Sequence, residues 1–260
     1  MHMAIVICVT NQKGGVGKTT TAVNLGYYLA KDKYRTLIID FDPQGNATSG
    51  FGFEKSNLPA NMVEVMSGQI PLEKTIVTTK HKCLDIVPTS PELANVEVEL
   101  VNKRGKFMLL KSAIARVADD YDFIIIDSPP SLSLLTVNGM IASNYLLLPV
   151  QTEFYALEGV AQLLESMKLV RKAMNPHLQL LGVLATMYDK RTSLSAQVLA
   201  EIKKYFKDKT FETTIPRNVR IAEAPSHGVP VGEYDKFSKG ARAYRDLARE
   251  VELRTLGGKK

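Results

Sequence analysis

The sequence has few cysteines and no long apolar run, and these shortages exclude several classes of protein. Its two cysteines, Cys8 and Cys83, are too few for a disulfide framework, and their spacing does not resemble that of metal ligands. No apolar stretch approaches the roughly 18 residues of a membrane-spanning helix. The amino terminus lacks the basic region and apolar stretch of a signal peptide. We therefore expect a cytoplasmic protein in a reducing compartment.

The positive charge of the chain is concentrated in its last third. The net charge is +6, and residues 181–260 carry 16 lysines and arginines against 10 acidic residues, whereas residues 1–180 carry 17 of each sign. A localised basic surplus is typical of a surface that binds a polyanion, such as nucleic acid or an acidic membrane. A merely solvated basic surface explains the charge alone equally well.

A glycine-rich segment lies between an apolar run and a helix-like segment. Because glycine lacks Cβ, successive N–H groups can converge on one point, and the following helix turns its unpaired N–H groups toward the same place. Lys18 would contact the β- and γ-phosphates of a nucleotide, and the Thr19 hydroxyl would bind Mg²⁺. Gln12 replaces the first glycine of the general motif, and Lys13 adds a second lysine. The predicted phosphate-binding residues are Lys13, Gly14, Gly15, Val16, Gly17, Lys18, Thr19 and Thr20.

Patterns of buried strands alternate with helical patterns along the chain. Short β-branched runs such as Ile5–Val9 and Phe123–Asp127 fit strands buried on both faces. The alternation predicts an α/β fold, with a mostly parallel, twisted sheet and helices on both faces. We expect one domain over residues 1–260, with a flexible tail at 255–260. Further strands are predicted at 36–40, 84–88, 145–150, 180–186 and, as a strand or edge, 211–215; helices are predicted at 20–31, 107–118, 132–142, 158–174, 195–206 and 242–253.

Three aspartates stand at or just after the ends of predicted strands. Loops at the carboxyl ends of parallel strands collect at one edge of a sheet, so Asp40, Asp42 and Asp127 should lie beside the phosphate-binding loop. Asp127 has the placement of a carboxylate that holds Mg²⁺ or its water shell next to Thr19, and a helix cap or turn is the alternative role. Asp42 is our candidate for orienting the water that attacks the γ-phosphate. Asp40 competes for that role, or supports the metal.

Three motifs, KGGVGKTT, DFDPQGN and IIIDSPPS, occur in this order. With them the chain closely resembles the deviant Walker A ATPases of the ParA/MinD type, most of all the chromosomal ParA (Soj) branch. The similarity continues through residues 149–159, 187–192 and 215–228 and covers nearly the whole chain. It implies a P-loop NTPase architecture and a slow ATPase that uses ATP and Mg²⁺.

The resemblance also implies a homodimer that encloses two ATP molecules. In this arrangement Lys13 of one subunit reaches the nucleotide of its partner. Lys13, Lys18 and Asp42 match catalytic positions of the family, and Thr19, Asp127 and Asp40 are the candidate metal ligands. Met187 and Pro216 match positions that border the adenine.

A DNA-binding surface and a protein partner follow from the same resemblance. The implied dimer binds double-stranded DNA without sequence preference, on the nucleoid, and a ParB-type protein stimulates its hydrolysis in chromosome or plasmid partitioning. Lysine and arginine neutralise phosphates and release counterions. A surface salt bridge is the alternative role of any one of them. Arg191, Arg217 and Arg220 match DNA-contacting arginines, and further candidates are Lys236, Lys239, Arg242 and Arg245.

Two rival functions share this fold. A MinD-like, membrane-associated division-site ATPase would dock a carboxyl-terminal amphipathic helix on lipid. The apolar side of residues 242–253 is modest, so we expect this helix to pack on the domain and expect no stable membrane association. A metabolic enzyme, such as an ATP-dependent ligase, is the second rival. An iron protein would need cluster cysteines, which Cys8 and Cys83 do not match.

Overall fold

Seven strands form one sheet in the computed structural model, which describes residues 3–257. They are β1 (Ile5–Val9), β2 (Thr36–Asp40), β3 (Val77–Thr78), β4 (Leu84–Val87), β5 (Phe123–Asp127), β6 (Tyr145–Gln151) and β7 (Gln179–Thr186). Across the sheet their order is β3-β4-β2-β5-β1-β6-β7. All neighbours are parallel except β3 and β4. The central strands β2 and β5 are buried along their whole length, which explains their uninterrupted apolar runs.

Helices connect the strands and cover both faces of the sheet. They are α1 (Lys18–Lys31), α2 (Asn46–Gly50), α3 (Met62–Ser67), α4 (Leu93–Leu100), α5 (Leu109–Ile114), α6 (Leu134–Ala142), α7 (Glu158–Ala173), α8 (Ser193–Phe206), α9 (Val219–Glu223), α10 (Val231–Tyr234) and α11 (Lys239–Leu256). Short 3₁₀ turns occupy Lys55–Asn57, Leu72–Lys74, Lys207–Lys209 and Ala224–His227.

Two apolar cores lie on opposite faces of the sheet. Alternate residues of β1 point to opposite sides, with Val6 and Cys8 in one core and Ile7 and Val9 in the other. Helices α3 to α8 contribute to the first core, whereas α1 and α11 dominate the second. The predicted fold class, a mostly parallel sheet with helices on both faces, is therefore confirmed.

Most predicted elements are present, but three differ from the prediction in extent or type. The helix predicted at 107–118 is helical only over Leu109–Ile114, because residues 116, 117 and 120 donate to carbonyls three positions back and form tighter turns. Residues 211–215 follow β7 without forming a strand. Phe211 and Ile215 donate to the β7 backbone, whereas the N–H groups of Glu212 and Thr213 are bonded to the Glu250 carboxylate.

The last helix is longer than predicted at both ends. It begins at Lys239, because the Ser238 hydroxyl accepts a hydrogen bond from Ala241 N and caps the first turn. It ends at Leu256, so residues 255 and 256 of the predicted tail are helical. Residues 258–260 lie outside the described part of the chain.

The carboxyl ends of the parallel strands gather the candidate residues at one edge of the sheet. The loops that follow β1, β2, β5 and β7 all leave from this edge. They carry the glycine-rich segment, Asp42, Ser128 and Met187, respectively.

Candidate nucleotide-binding site and basic groove

The glycine-rich loop has the backbone that a phosphate-binding loop requires. Gly15 and Gly17 adopt φ angles of +75° and +89°, a region that other residues rarely enter. Helix α1 begins directly after Gly17, and no side chain caps its first turn. Its free N–H groups are therefore available to an anion. The Thr186 hydroxyl donates to the Val16 carbonyl over 2.8 Å and fixes the loop to the end of β7.

Lys18 lies inside the loop rather than at its surface. Only 6% of the residue is exposed, and its Nζ donates to the Lys13 carbonyl over 3.0 Å. Burial lowers the pKa of this ammonium group, while the carboxylates of Asp127 and Asp42 act in the opposite direction. The Lys18 ammonium group thus places a buried positive charge between the loop and the carboxylates of Asp127 and Asp42.

Asp127 is a buried carboxylate without a hydrogen-bond partner. Within residues 3–257, neither of its oxygens has a hydrogen-bond partner of normal geometry, although the Thr19 hydroxyl lies close enough to favour the charged form. Burial, and then the neighbouring Asp40 carboxylate, raise its pKa well above the usual range, and the Thr19 hydroxyl and Lys18 oppose this shift. A buried charge of this kind needs a cationic partner. Mg²⁺ is commonly held by one or two carboxylates together with substrate phosphates, so Asp127 and Thr19 fit this ion.

Asp40 and Asp42 have different surroundings, although only one residue separates them. Asp40 is fully buried and accepts hydrogen bonds from Thr48 N and Thr48 Oγ1, both at 2.7 Å, so it fastens the start of α2. The other carboxylate oxygen of Asp40 has no hydrogen-bond partner among the described residues. Asp40 on β2 is also the register partner of Asp127 on β5. Asp42 instead lines the cavity beside the loop. Burial raises the pKa of Asp42, opposed by the Gln44 N–H and by Lys18 and Lys55.

Two adjoining cavities extend from the loop. The first, of about 440 Å³, contains Gly14, Gly15, Gly17, Lys18, Thr19, Thr20 and Asp42 in its lining. The second, of about 450 Å³, is lined by Met187 and Pro216 together with Ile215 and Tyr244. Met187 borders both cavities and adopts a φ of +52°, which is unusual for a side chain of its size. The two predicted adenine-bordering residues therefore meet in an apolar recess beside the loop.

Two predicted loop residues lie elsewhere than in the lining. Val16 is buried, and its carbonyl accepts the hydrogen bond from Thr186. Lys13 points away from the cavity: its side chain is 42% exposed, and its Nζ lies 3.6 Å from a Glu153 carboxylate oxygen. Its backbone N–H is bonded to the Asn11 side chain.

Four of the seven predicted DNA-binding residues come together in a basic groove. The groove has a volume of about 880 Å³. Its five basic side chains outnumber three acidic ones, Asp189, Glu212 and Asp246. Arg191 is 83% exposed and forms a two-pronged ion pair with Asp189, which lowers the pKa of Asp189 to about 2. The basic residues are Lys190, Arg191, Arg217, Lys239 and Arg242.

The other basic candidates are not part of this lining. Arg220 pairs with Glu223 at 2.8 Å and with Asp235 at 3.5 Å. Lys236 lies over the ring of Phe237, with its Nζ 5.0 Å from the ring centroid. Arg245 has Asp246 at 3.7 Å. The structure thus separates the groove residues from three candidates that engage other partners.

Sequence reasoning missed several residues of these sites. Asn24 links the loop to α10, because its side chain donates to the Thr20 carbonyl and accepts from Val231 N, each over 2.8 Å. Ile221 and Pro225 line both cavities, and Lys190 joins the basic groove. No local pattern marks these positions, because separate parts of the chain bring them together.

The parallel sheet, the glycine-rich loop at its carboxyl edge and the buried aspartate define a P-loop nucleotide-binding protein. Residues 4–180 match the family described as AAA domain. The chain is 51% identical over 249 residues to the sporulation initiation inhibitor protein Soj of Bacillus subtilis, covering 96% of this chain and 98% of Soj. It is 46% identical over 249 residues to the chromosome partitioning protein ParA of Myxococcus xanthus, covering 96% and 88%.

A solved structure with bound nucleotide has the same fold. The cobyrinic acid a,c-diamide synthase of Mycobacterium smegmatis, with bound ADP and magnesium, superimposes with a TM-score of 0.86 at 36% identity, covering 98% of this chain and 97% of that one. The chain belongs to the ParA/MinD-type deviant Walker A ATPases, as its motifs predict.

Proposed function

We propose that this ATPase dimerises on ATP, binds DNA without sequence preference and acts in chromosome or plasmid partitioning. A ParB-type partner stimulates its hydrolysis, and the protein acts in the cytoplasm on the nucleoid. The observation that carries the proposal is that the nucleotide recess and the basic groove share lining residues. Pro216, Arg217 and Asn218 line both the recess beside the phosphate-binding loop and the basic groove. A change at the nucleotide can therefore reach the groove through three consecutive residues.

The proposed ATP site assigns one task to each polar side chain. Lys18 and the N–H groups of the loop hold the β- and γ-phosphates. Thr19 and Asp127 hold Mg²⁺, which would neutralise charge that develops on the phosphate oxygens. Asp42 lines the cavity and orients the attacking water, whereas Asp40 supports this arrangement through Thr48. Met187 and Pro216 border the base.

The loop glycines support a close approach by a second subunit. A Cβ at Gly14 would meet only Pro130 Cβ at 4.0 Å, an ordinary contact, and the φ of Gly14 is not positive. Contacts within the chain therefore do not require glycine there, whereas a neighbouring subunit or its nucleotide would. Lys13 stands beside Gly14 with its side chain half-exposed. We propose that Lys13 contacts the nucleotide of the partner subunit.

The charge and exposure of the groove support DNA binding. Arg217, Lys239 and Arg242 are exposed, and the groove has no base-reading motif that we can identify in the sequence. Such a surface neutralises phosphates, so its affinity for DNA should fall steeply with salt. The MinD-like alternative is less well supported, because the apolar side of α11 is buried against the second core. No helix within residues 3–257 is long and apolar enough to span a membrane.

Gel-shift assays on unrelated DNA duplexes at several salt concentrations test this proposal. With ATP and Mg²⁺ the protein should retard all duplexes at low salt, and Arg217→Ala should weaken binding uniformly and reduce the salt slope by about 1. Arg171→Ala, which removes an exposed arginine of α7, is the matched control. Lys18→Ala should bind no nucleotide and no DNA. Equal retardation with ADP, or none with ATP, would refute the proposal, and pelleting with anionic liposomes instead would favour the membrane alternative.

A further inference from the structure

Lys55 touches the turn that carries Asp42, although it lies outside every motif described above. It begins the 3₁₀ turn Lys55–Asn57, and its Nζ donates a hydrogen bond to the Gln44 carbonyl. Its stem also covers Gly45: a Cβ at that position would lie 2.8 Å from Lys55 Cε and 3.0 Å from Cδ. Gly45 has a φ of +61°, a conformation that favours glycine, and the Lys55 stem packs against it.

The same turn determines where the Asp42 carboxylate points. Gln44 N donates to Asp42 Oδ1 over 3.0 Å, and Gly45 N donates to the Asp42 carbonyl over 2.7 Å. Gln44 therefore has Asp42 on its amide side and Lys55 on its carbonyl side. A fixed Gln44 gives the carboxylate a fixed donor, and both Asp42 and Gln44 line the cavity beside the loop.

Lys55 also contributes charge at this point. Its ammonium group favours the ionised form of Asp42, together with Lys18 and the Gln44 N–H, against the effect of burial. Lys18 is committed to the phosphate-binding loop through its bond to the Lys13 carbonyl. Lys55 instead bonds the Gln44 carbonyl, and within residues 3–257 no hydrogen bond or ion pair joins it to the loop residues that hold phosphate in our proposal.

We propose that Lys55 is a positioning residue for hydrolysis, which holds the Gln44 carbonyl so that the Gln44 amide keeps the Asp42 carboxylate aimed into the nucleotide cavity. This rests on the role proposed for Asp42. Loss of the Lys55 ammonium group removes the hydrogen bond that holds the Gln44 carbonyl and leaves the residues of the phosphate-binding loop unchanged. Hydrolysis should slow while the binding of ATP stays the same.

Steady-state hydrolysis and the binding of ATP, measured on the full chain, test this role. Lys55→Met keeps the stem over Gly45 but removes the hydrogen bond and the charge. We expect kcat to fall about tenfold, less than the roughly 10²-fold or greater loss expected for Asp42→Asn, with the affinity for ATP unchanged. Lys55→Arg should recover most of the activity. Lys74→Met, which changes an exposed lysine of another 3₁₀ turn, is the matched control.

A double-mutant measurement separates positioning from a general structural effect. In an Asp42→Asn background, Lys55→Met should have no further effect. If Asp42→Asn hydrolyses ATP normally, the proposed role of Asp42 fails. If Asp42→Asn is impaired but Lys55→Met matches the wild type in kcat, or loses activity only through weaker ATP binding, the role of Lys55 is refuted.

Discussion

Replacing Asp127 by asparagine should stabilise the nucleotide-free protein while removing its response to Mg²⁺. Both oxygens of this buried carboxylate lack a hydrogen-bond partner within the described residues, and so does Oδ1 of Asp40. The two residues are register partners on β2 and β5. Asparagine removes one of two neighbouring charges and provides an N–H group that can donate to Asp40. One substitution therefore relieves a repulsion and satisfies an orphaned oxygen.

The size of the effect follows from the cost of an unpartnered polar group. Such a group costs about 1–3 kcal/mol when buried, and more when charged. We therefore expect Asp127→Asn to raise the free energy of unfolding by about 1–3 kcal/mol at pH 8. Since 1 kcal/mol corresponds to roughly 2–4 °C in a chain of this size, the melting temperature should rise by roughly 2–12 °C.

The pH dependence gives an independent check on the sign. The folded-state pKa values of Asp127 and Asp40 are raised above the ordinary value of 3.8, mainly by burial. The folded protein therefore keeps protons that the unfolded chain releases, and this contribution to stability is lost as the pH rises through the folded-state values. Asp127→Asn removes one such group, so its advantage over the wild type should be smaller at pH 5 than at pH 8.

Thermal melting with and without ATP, in Mg²⁺ or in EDTA, measures both effects. A ligand at a 100-fold excess over its Kd stabilises by about 2.7 kcal/mol, and the part that depends on Mg²⁺ should be largely lost in Asp127→Asn. The reasoning is refuted if the variant melts below the wild type at pH 8 without nucleotide. It is also refuted if Mg²⁺ adds as much stability in the variant as in the wild type.

Two further predictions concern the dimer and hydrolysis. Gly14→Ala should bind ATP normally but remain monomeric in size-exclusion chromatography with light scattering, because the added Cβ has room within the chain but would collide with the partner subunit of the dimer we propose; an ATP-dependent dimer of the variant would contradict this. Asp42→Ala should stay on DNA as an ATP-bound dimer, because nothing orients the attacking water. Filter binding after ATP removal measures its residence, and a wild-type turnover rate would assign the role to another residue.

The sequence predicted the sheet and the phosphate-binding loop because both are encoded locally. Runs such as Phe123–Asp127 are continuous and apolar, and the loop is a single contiguous segment. The two-residue strand β3 was not predicted, since Val77–Thr78 is too short for a periodic pattern. Segment 211–215 was predicted as a strand or edge. The sequence pattern could not show that two of its N–H groups donate to the Glu250 carboxylate instead of to a neighbouring strand.

Long-range contacts explain what the sequence alone left open. Our proposal that Asp42 rather than Asp40 orients the water rests on Thr48, whose hydroxyl and amide donate to the Asp40 carboxylate. The basic groove draws on three separate segments, 188–191, 212–218 and 239–246, so charge counting could place the surplus in the last third but not select its members. No sequence pattern indicated a role for Lys55, because that role depends on its hydrogen bond to the Gln44 carbonyl, which only the folded structure shows.

Residues 216–218, which line both the recess and the basic groove, provide a route by which bound nucleotide would change the affinity for DNA in our proposal. Ile215 N donates to the Ala185 carbonyl, and Tyr188 and residues 215 and 217 exchange further backbone bonds. This short ladder ties the recess that contains Met187 to the groove that contains Arg217. Met187 directly precedes Tyr188 in the chain, so we expect a ligand that shifts Met187 to disturb the backbone bonds of Tyr188 as well. We therefore expect the arrangement of Arg217 in the groove to depend on what the recess holds, which links DNA affinity to the nucleotide without a separate moving domain.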